Sequence, residues 1–211
     1  MKICGISTDA GLTAARENGA SYVGFVFYPR SPRYIAPVDA AALAGRKGSM
    51  QAVAVTVDLP DTQLAAILDS VPLDILQLHG SESPERVAEV RGRFGLPVMK
   101  SVAVAGAADI QRAHAYADVA DRLLFDAKPP KESADALPGG NALSFDWELL
   151  AGERWKVPWM LSGGLNADTV GEAACISGAA CVDVSSGVES AAGVKDVERI
   201  AAFLAACRGA I

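Results

Sequence analysis

The sequence predicts an α/β protein: a single-domain (β/α)8 TIM barrel over residues 1–211, with a phosphate site at the loops after its seventh and eighth strands. Two observations carry this. Short apolar runs bounded by turn residues alternate eight times with helix-like segments, a spacing that argues for an all-parallel sheet. Two successive late runs end in small residues: Trp159-Met160-Leu161 leads into Ser162-Gly163-Gly164-Leu165, and Val182-Asp183-Val184 into Ser185-Ser186-Gly187. Such turns leave backbone N–H groups uncovered, as a phosphate requires, and the last two loops of this barrel are where the fold places one. With 211 residues the chain can bury one large core and lies near the lower size limit for eight units. A doubly wound open sheet would give the same alternation.

The elements follow in order. Lys2-Ile3-Cys4 is the first strand; Thr8 or Asp9 caps a helix running to about Asn18, and Gly19 ends it. Residues 22–27 form a second strand, apolar on both sides as an enclosed parallel strand should be. A loop over 28–35 precedes an Ala-rich helix opened by Pro37. Strand three is 51–57 and its helix 61–70; strand four is 74–78, ending at His79-Gly80. Glu82-Ser83-Pro84-Glu85 opens the fourth helix, which fades between Gly92 and Gly95. Residues 98–102 and 107–117 make the fifth unit, and 122–126 the sixth strand. Residues 127–144 are one long irregular stretch, of a length that is usually functional or disordered. A short helix starts at 145–150; strand seven is 157–161, helix seven 167–176, strand eight 181–184, and an amphipathic helix over 195–207 closes the chain.

Composition narrows the function. Hydrophobic residues make up 51% of the chain, which places it among globular proteins. No apolar run reaches the roughly 18–20 residues that span a bilayer, and Met1-Lys2-Ile3-Cys4-Gly5 does not open a signal peptide, so no membrane association and a cytoplasmic location are expected. The net charge is −6 and the basic residues are scattered, which argues against a nucleic-acid partner. An anionic ligand must therefore be held locally, by amides, helix N-termini and single Arg residues. The four cysteines form no Cys-x-x-Cys pair and only two His exist, so no metal site is expected. Cys175, Cys181 and Cys207 sit in Ala-rich surroundings and read as small core residues.

Reactive residue types gather at the ends of the strands. Cys4 ends strand one, His79 follows strand four, Lys100 lies late in strand five, Asp126 ends strand six and Asp183 lies late in strand eight. In a barrel these C-terminal ends share one mouth. Each has a plainer reading beside the functional one. Cys4 fills space, His79 bonds a neighbouring carbonyl, Asp126 caps a loop or pairs with Lys128, and Asp183 braces the Ser185–Gly187 turn. Lys100 reads as a snorkelling or ion-paired residue before it reads as a Schiff-base nucleophile.

Several segments together resemble the phosphoribosylanthranilate isomerases. They are Lys2-Ile3-Cys4-Gly5-Ile6, Gly24-Phe25-Val26-Phe27-Tyr28, Ser31-Pro32-Arg33-Tyr34-Ile35, Gln77-Leu78-His79-Gly80 and Leu124-Phe125-Asp126-Ala127-Lys128, with Phe145-Asp146-Trp147, Leu161-Ser162-Gly163-Gly164-Leu165-Asn166 and Asp183-Val184-Ser185-Ser186-Gly187-Val188-Glu189. They occur in the family's order and span the chain; Ala142 stands where the family often has a further Gly. The resemblance implies an Amadori rearrangement in tryptophan biosynthesis, with Cys4 as general base, Asp126 as general acid and Arg33 meeting the anthranilate carboxylate. It also implies that His79 and Asp183 contact the substrate, and that Gly163, Gly164, Ser185 and Ser186 hold its phosphate. The partner is then a small phosphorylated substrate, and the protein a monomer or a homodimer.

The chemistry moves only protons, so no cofactor is expected, in keeping with the lack of a dinucleotide or P-loop fingerprint. Cys4 would gain from nearby positive charge or amide dipoles. Asp126 must keep a proton near pH 7, which asks its surroundings to favour the acid by about 4 kcal/mol. Closure of the 127–144 loop is the expected means. The competing readings are a class I aldolase using Lys100, a metal-dependent epimerase using His79 and His114, and a non-catalytic phosphate-ligand binder.

Overall fold

The computed structural model describes residues 1–128, 139–140 and 143–210. Its strands and helices alternate as β1 Lys2–Cys4, α1 Asp9–Glu17, β2 Tyr22–Val26, α2 Pro37–Ala44, β3 Gln51–Thr56, α3 Asp61–Ser70, β4 Ile75–Leu78, α4 Pro84–Phe94, β5 Val98–Val104, α5 Ala107–Ala117 and β6 Arg122–Ala127. A 3-10 turn at Trp147–Leu150 then leads to β7 Trp159–Leu161, α6 Val170–Ser177, β8 Asp183–Val184, a second 3-10 turn at Ser186–Val188, β9 Glu189–Ala191, β10 Val194–Lys195 and α7 Val197–Ala210. Local chemistry sets the boundaries. The Thr8 hydroxyl accepts the Gly11 N–H at 3.2 Å to start α1. Ser83 caps α4 ahead of Pro84, and Gly95 ends that helix at φ 66°.

Eight parallel strands form one sheet in the order β7-β6-β5-β4-β3-β2-β1-β8. A parallel bridge between Leu161 and Val182 joins the two ends, with the Leu161 N–H donating to the Cys181 carbonyl at 3.0 Å. The sheet is thus a single-domain (β/α)8 barrel, and the open doubly wound alternative is set aside. No helix among the described residues is long and apolar enough to cross a membrane.

Several expectations need correction, and Cys175, read as a small core residue, is exposed. No α-helix separates β6 from β7 among the described residues; the 3-10 turn, capped by the Asp146 carboxylate accepting from Glu148 N at 3.0 Å, takes its place. The seventh and eighth strands are shorter than the apolar runs that announced them, and Pro158 has no N–H to extend the ladder. Between Ser185 and Lys195 the chain makes a turn and a two-stranded antiparallel hairpin, β9–β10, which the sequence reading left unassigned.

Because side chains alternate along a strand, each strand presents one set to the helices and one to the barrel interior. The interior holds a basal apolar layer of Val53, Ile75, Met99, Leu124 and Met160, and nearer the mouth Cys4, Val26 and Val55. Lys2 stands two residues before Cys4 on the same inward face. It is fully buried, with Nζ 2.8 Å from Asp183 Oδ1. Burial alone would favour neutral Lys2, but the Asp183 carboxylate, with a smaller contribution from Cys4, outweighs it and holds the ammonium form.

Removing one partner of such a pair strands the other charge. Lys2→Met should cost about 3–5 kcal/mol in urea unfolding. A midpoint and slope like the wild type's would show that the pair does not brace the barrel.

Candidate active site

The mouth of the barrel opens into a cavity of about 750 Å³, taken to its open rim, a size suited to a small ligand. Cys4, Arg33, His79, Asp126, Asp183, Gly163, Gly164, Ser185 and Ser186 all line it. The nine residues nominated from sequence are therefore brought together in one place. Val26, Val55, Val57 and Leu165 supply apolar wall.

Cys4 reaches the cavity from the end of β1. Gly24 beside it makes the room: a Cβ there would lie 3.0 Å from Cys4 Sγ and 3.3 Å from Lys2 Cε. Burial pushes the thiol above its ordinary value and Asp183 adds to the rise, while Lys2 and Lys195 pull the other way. The positive charge expected near Cys4 is thus present, in two lysines the sequence reading did not nominate.

Asp126 points inward from β6 and is 6% exposed. Its Oδ1 accepts the Ala127 N–H at 2.9 Å, and its Oδ2 lies 3.3 Å from His79 Nε2. Lys128 does not pair with Asp126; its ammonium lies 3.5 Å from Asp109 instead. Gly139 sits directly over the His79–Asp126 pair, since a Cβ there would be 2.5 Å from His79 Nε2 and 2.7 Å from Asp126 Oδ2. Only a residue without a side chain fits this close approach. Of the 127–144 loop expected to close over the site, residues 129–138 and 141–142 lie outside the described residues.

Arg33 comes to the cavity with its charge already engaged. Nε and Nη2 form a bidentate pair with Glu189 at 2.8 and 2.9 Å, and Nη2 donates to the Gly140 carbonyl at 3.2 Å. Lys195 Nζ joins the same carboxylate at 2.6 Å and reaches the Ser185 carbonyl at 2.9 Å. The β9–β10 hairpin therefore ties Arg33 to the eighth-strand loop. Burial by itself would raise the Glu189 carboxyl, but the Arg33 hydrogen bonds and Lys195 outweigh it and hold the group below the usual carboxylate range.

Asp183 lines the cavity, yet both its oxygens are occupied: Oδ1 by Lys2, and Oδ2 by the Ser162 hydroxyl at 3.2 Å. It braces Lys2 and the seventh-strand loop rather than the Ser185–Gly187 turn. Lys100 does not share the mouth. It sits on the helix-facing side of β5, where Nζ pairs with Glu82 at 2.7 Å and bonds the Gly80 and Leu78 carbonyls. A Schiff base there has no cavity to work in. His114 is 44% exposed in its side chain and stacks on Trp155, away from the site.

The two small-residue loops meet. A Cβ on Gly187 would come within 2.9 Å of the Leu165 carbonyl carbon, so the loops after β7 and β8 pack backbone to backbone. The amides of Gly163, Gly164, Ser186 and Gly187 donate to no backbone acceptor among the described residues, leaving donors at the rim.

Sequence reasoning missed Lys2, Gln77, Ser162, Glu189 and Lys195. Strand parity could have found the first two, which stand two residues before Cys4 and His79 on the same inward faces. Nothing local announces Glu189 and Lys195, whose roles depend on a hairpin folding back under Arg33.

Glu189 has a testable signature. A carboxyl held below its unfolded value stabilises the fold above that value, about 4.3, and the gain is lost as pH falls through the folded value. Glu189→Gln should therefore be less stable than the parent at pH 6–8, and the gap should shrink steadily as the buffer is taken from pH 5 to pH 2. A pH-independent gap would show that packing, not charge, is what Glu189 contributes.

A family model described as N-(5'phosphoribosyl)anthranilate (PRA) isomerase matches residues 1–206. The chain is 56% identical over 210 residues to the N-(5'-phosphoribosyl)anthranilate isomerase of Cereibacter sphaeroides, covering 99% of this chain and 98% of that one. It is 57% identical over 212 residues to that of Rhodospirillum centenum, covering 100% and 98%. Among solved structures, phosphoribosyl anthranilate isomerase from Thermotoga maritima superposes with a TM-score of 0.87 at 35% identity, covering 99% of this chain and 98% of that one. A phosphoribosyl anthranilate isomerase in complex with reduced 1-(o-carboxyphenylamino)-1-deoxyribulose 5-phosphate superposes at 0.84 and 34% identity, covering 99% and 97%. A barrel with this cavity, matched along its length by these relatives, belongs to the N-(5'-phosphoribosyl)anthranilate isomerase family.

Proposed function

We propose that the cavity converts N-(5'-phosphoribosyl)anthranilate into 1-(2-carboxyphenylamino)-1-deoxyribulose 5-phosphate, the Amadori rearrangement of tryptophan biosynthesis, with Cys4 as general base and Asp126 as general acid. The observation that carries the assignment is that a thiol from β1 and a carboxyl from β6 open onto one apolar-walled cavity rimmed by two amide-rich loops. Asp126 delivers a proton to the ribose ring oxygen, the C1–O bond breaks, and the anthranilate nitrogen forms the iminium. Cys4 then removes the proton on C2, giving an enolamine that becomes the ketone. One proton enters and one leaves, so the steps need no cofactor.

The rest of the substrate follows from the surroundings. Gly163, Gly164, Ser185 and Ser186 hold the phosphate through backbone amides and hydroxyls, and Arg33, anchored by Glu189, meets the anthranilate carboxylate. His79 and Asp183, which also line the cavity, contact the substrate in this reading. Residues 1–211 work as one barrel domain, and the partner is this small phosphorylated molecule rather than a nucleic acid. A place in tryptophan biosynthesis supports a cytoplasmic location. Assembly is as a monomer or a homodimer; one similar structure, from Thermotoga maritima, is described as monomers generated from a dimeric enzyme.

The roles predict separate failures. In a fluorescence assay of phosphoribosylanthranilate consumption, Cys4→Ser and Asp126→Asn should each lower kcat by about 10²–10⁴-fold, the usual worth of a positioned acid or base. Affinity for a reduced product analogue should stay within a few-fold. Near-normal kcat in either variant would unseat the assignment. The raised thiol value gives a second check. Alkylation of Cys4 by iodoacetamide, followed by peptide mass spectrometry, should still accelerate above pH 8.5, the ordinary thiol value, and should slow when the analogue is bound. A rate that levels off near neutrality would contradict the buried environment described for Cys4.

A further inference from the structure

What stands behind His79 decides which proton it can show to Asp126. Gln77 lies two residues earlier on β4, faces the same interior and is fully buried. Its Nε2 is 2.8 Å from His79 Nδ1, while its Oε1 has no hydrogen-bond partner among the described residues. Turning the amide over would bring Oε1 to Nδ1 and leave the NH₂ group where Oε1 now lies without a partner. A buried unpaired donor is rarer than an under-used carbonyl oxygen, so the orientation with the amide donating is the favoured one. Nδ1 is then an acceptor, and a neutral imidazole must carry its hydrogen on Nε2, which lies 3.3 Å from Asp126 Oδ2.

We infer that Gln77 is a positioning residue that keeps His79 neutral, with its hydrogen on Nε2, so that no imidazolium faces Asp126 and a neutral donor is ready for the carboxylate left when the proton has gone to the ring oxygen. This rests on Asp126 being the general acid. An imidazolium 3.3 Å away would hold the carboxyl ionised, since an opposite charge at that range lowers a carboxyl by about 1–3 pH units. It would also need a hydrogen on Nδ1, facing the amide N–H of the buried Gln77. The neutral ring avoids both and still offers one hydrogen bond to the carboxylate left after proton transfer.

The groups around the ring allow this. Among the described residues, Asp126 from β6, the Ser101 hydroxyl from β5 at 3.4 Å, and Gly139 from above face it. The Lys100–Glu82 pair lies behind the strand, bonded to the Leu78 and Gly80 carbonyls, and Asp58 after β3 accepts from Ser81. Cys4, Asp183 and the Arg33–Glu189–Lys195 cluster belong to the β1, β2 and β8 side of the cavity.

The chain has only two histidines, so ¹⁵N-histidine NMR reads His79 with His114 as the one other signal, and His114→Gln assigns the pair. In the wild type at pH 7, His79 should be neutral with hydrogen on Nε2. In Gln77→Glu, whose carboxylate can accept from Nδ1, His79 should be imidazolium at pH 7. Its kcat should fall at least tenfold, the decline of kcat with rising pH should begin at lower pH, and KM should stay within about threefold. Gln77→Met, which removes the donor without adding charge, should lose less than Gln77→Glu and leave the pH profile in place. Wild-type His79 carrying hydrogen on Nδ1, or charged at pH 7, overturns the inference even if Gln77→Glu does not fold. So does a Gln77→Glu enzyme with unchanged tautomer and profile. Because the tautomer is read without turnover, this failure is distinct from that of the acid assignment, which full activity in Asp126→Asn would reveal.

Discussion

The site depends on one constraint: in a closed parallel barrel every second side chain must point inward, into a packed interior. Cys4 and Asp126 occupy the last inward positions of β1 and β6, and His79 continues the inward row of β4 one residue past its end. The inward residues below them then matter as much as the site itself, since a polar group buried there must find a partner within the barrel. Lys2 finds Asp183, and Gln77 finds His79. The same alternation turns Lys100 to the helix layer, where it pairs with Glu82 and secures the loop after β4.

Charge is arranged to suit an anionic ligand on a protein whose net charge is −6. No broad positive surface is needed. Lys2 and Lys195 lie near Cys4, and Arg33 stands at the rim, each held by a buried carboxylate. These pairs hold direction more than they add stability, because desolvation of both partners offsets much of their attraction. What they secure is geometry: a thiol beside cations, and a guanidinium whose angle is set by two bonds to Glu189. The amides of the seventh- and eighth-strand loops complete the arrangement at no cost in net charge.

The acid side is organised differently. Among the described residues Asp126 faces no lysine or arginine; its neighbours there are a backbone N–H, the His79 imidazole and Gly139. The proposed base, Cys4, and the proposed acid, Asp126, thus sit in different electrostatic surroundings within one cavity.

The sequence by itself determined the fold class, the order of the strands along the chain and nine of the residues that line the cavity. These are carried by local signals: alternating apolar runs, small-residue turns after strands seven and eight, and reactive residues at strand ends. Tertiary structure decided which of those residues face each other and which look away. Lys100 shares its place in the sequence pattern with Cys4 and Asp126, yet strand parity sends it outward. Asp183 was readable as polar and buried, but not as the partner of Lys2, 181 positions away. Glu189 and Lys195 acquire meaning only once the hairpin packs beneath Arg33. Periodicity and turn chemistry are written over a few neighbouring residues, whereas pairings of buried charge are settled by the closure of the barrel, which brings distant strands within a hydrogen bond of one another.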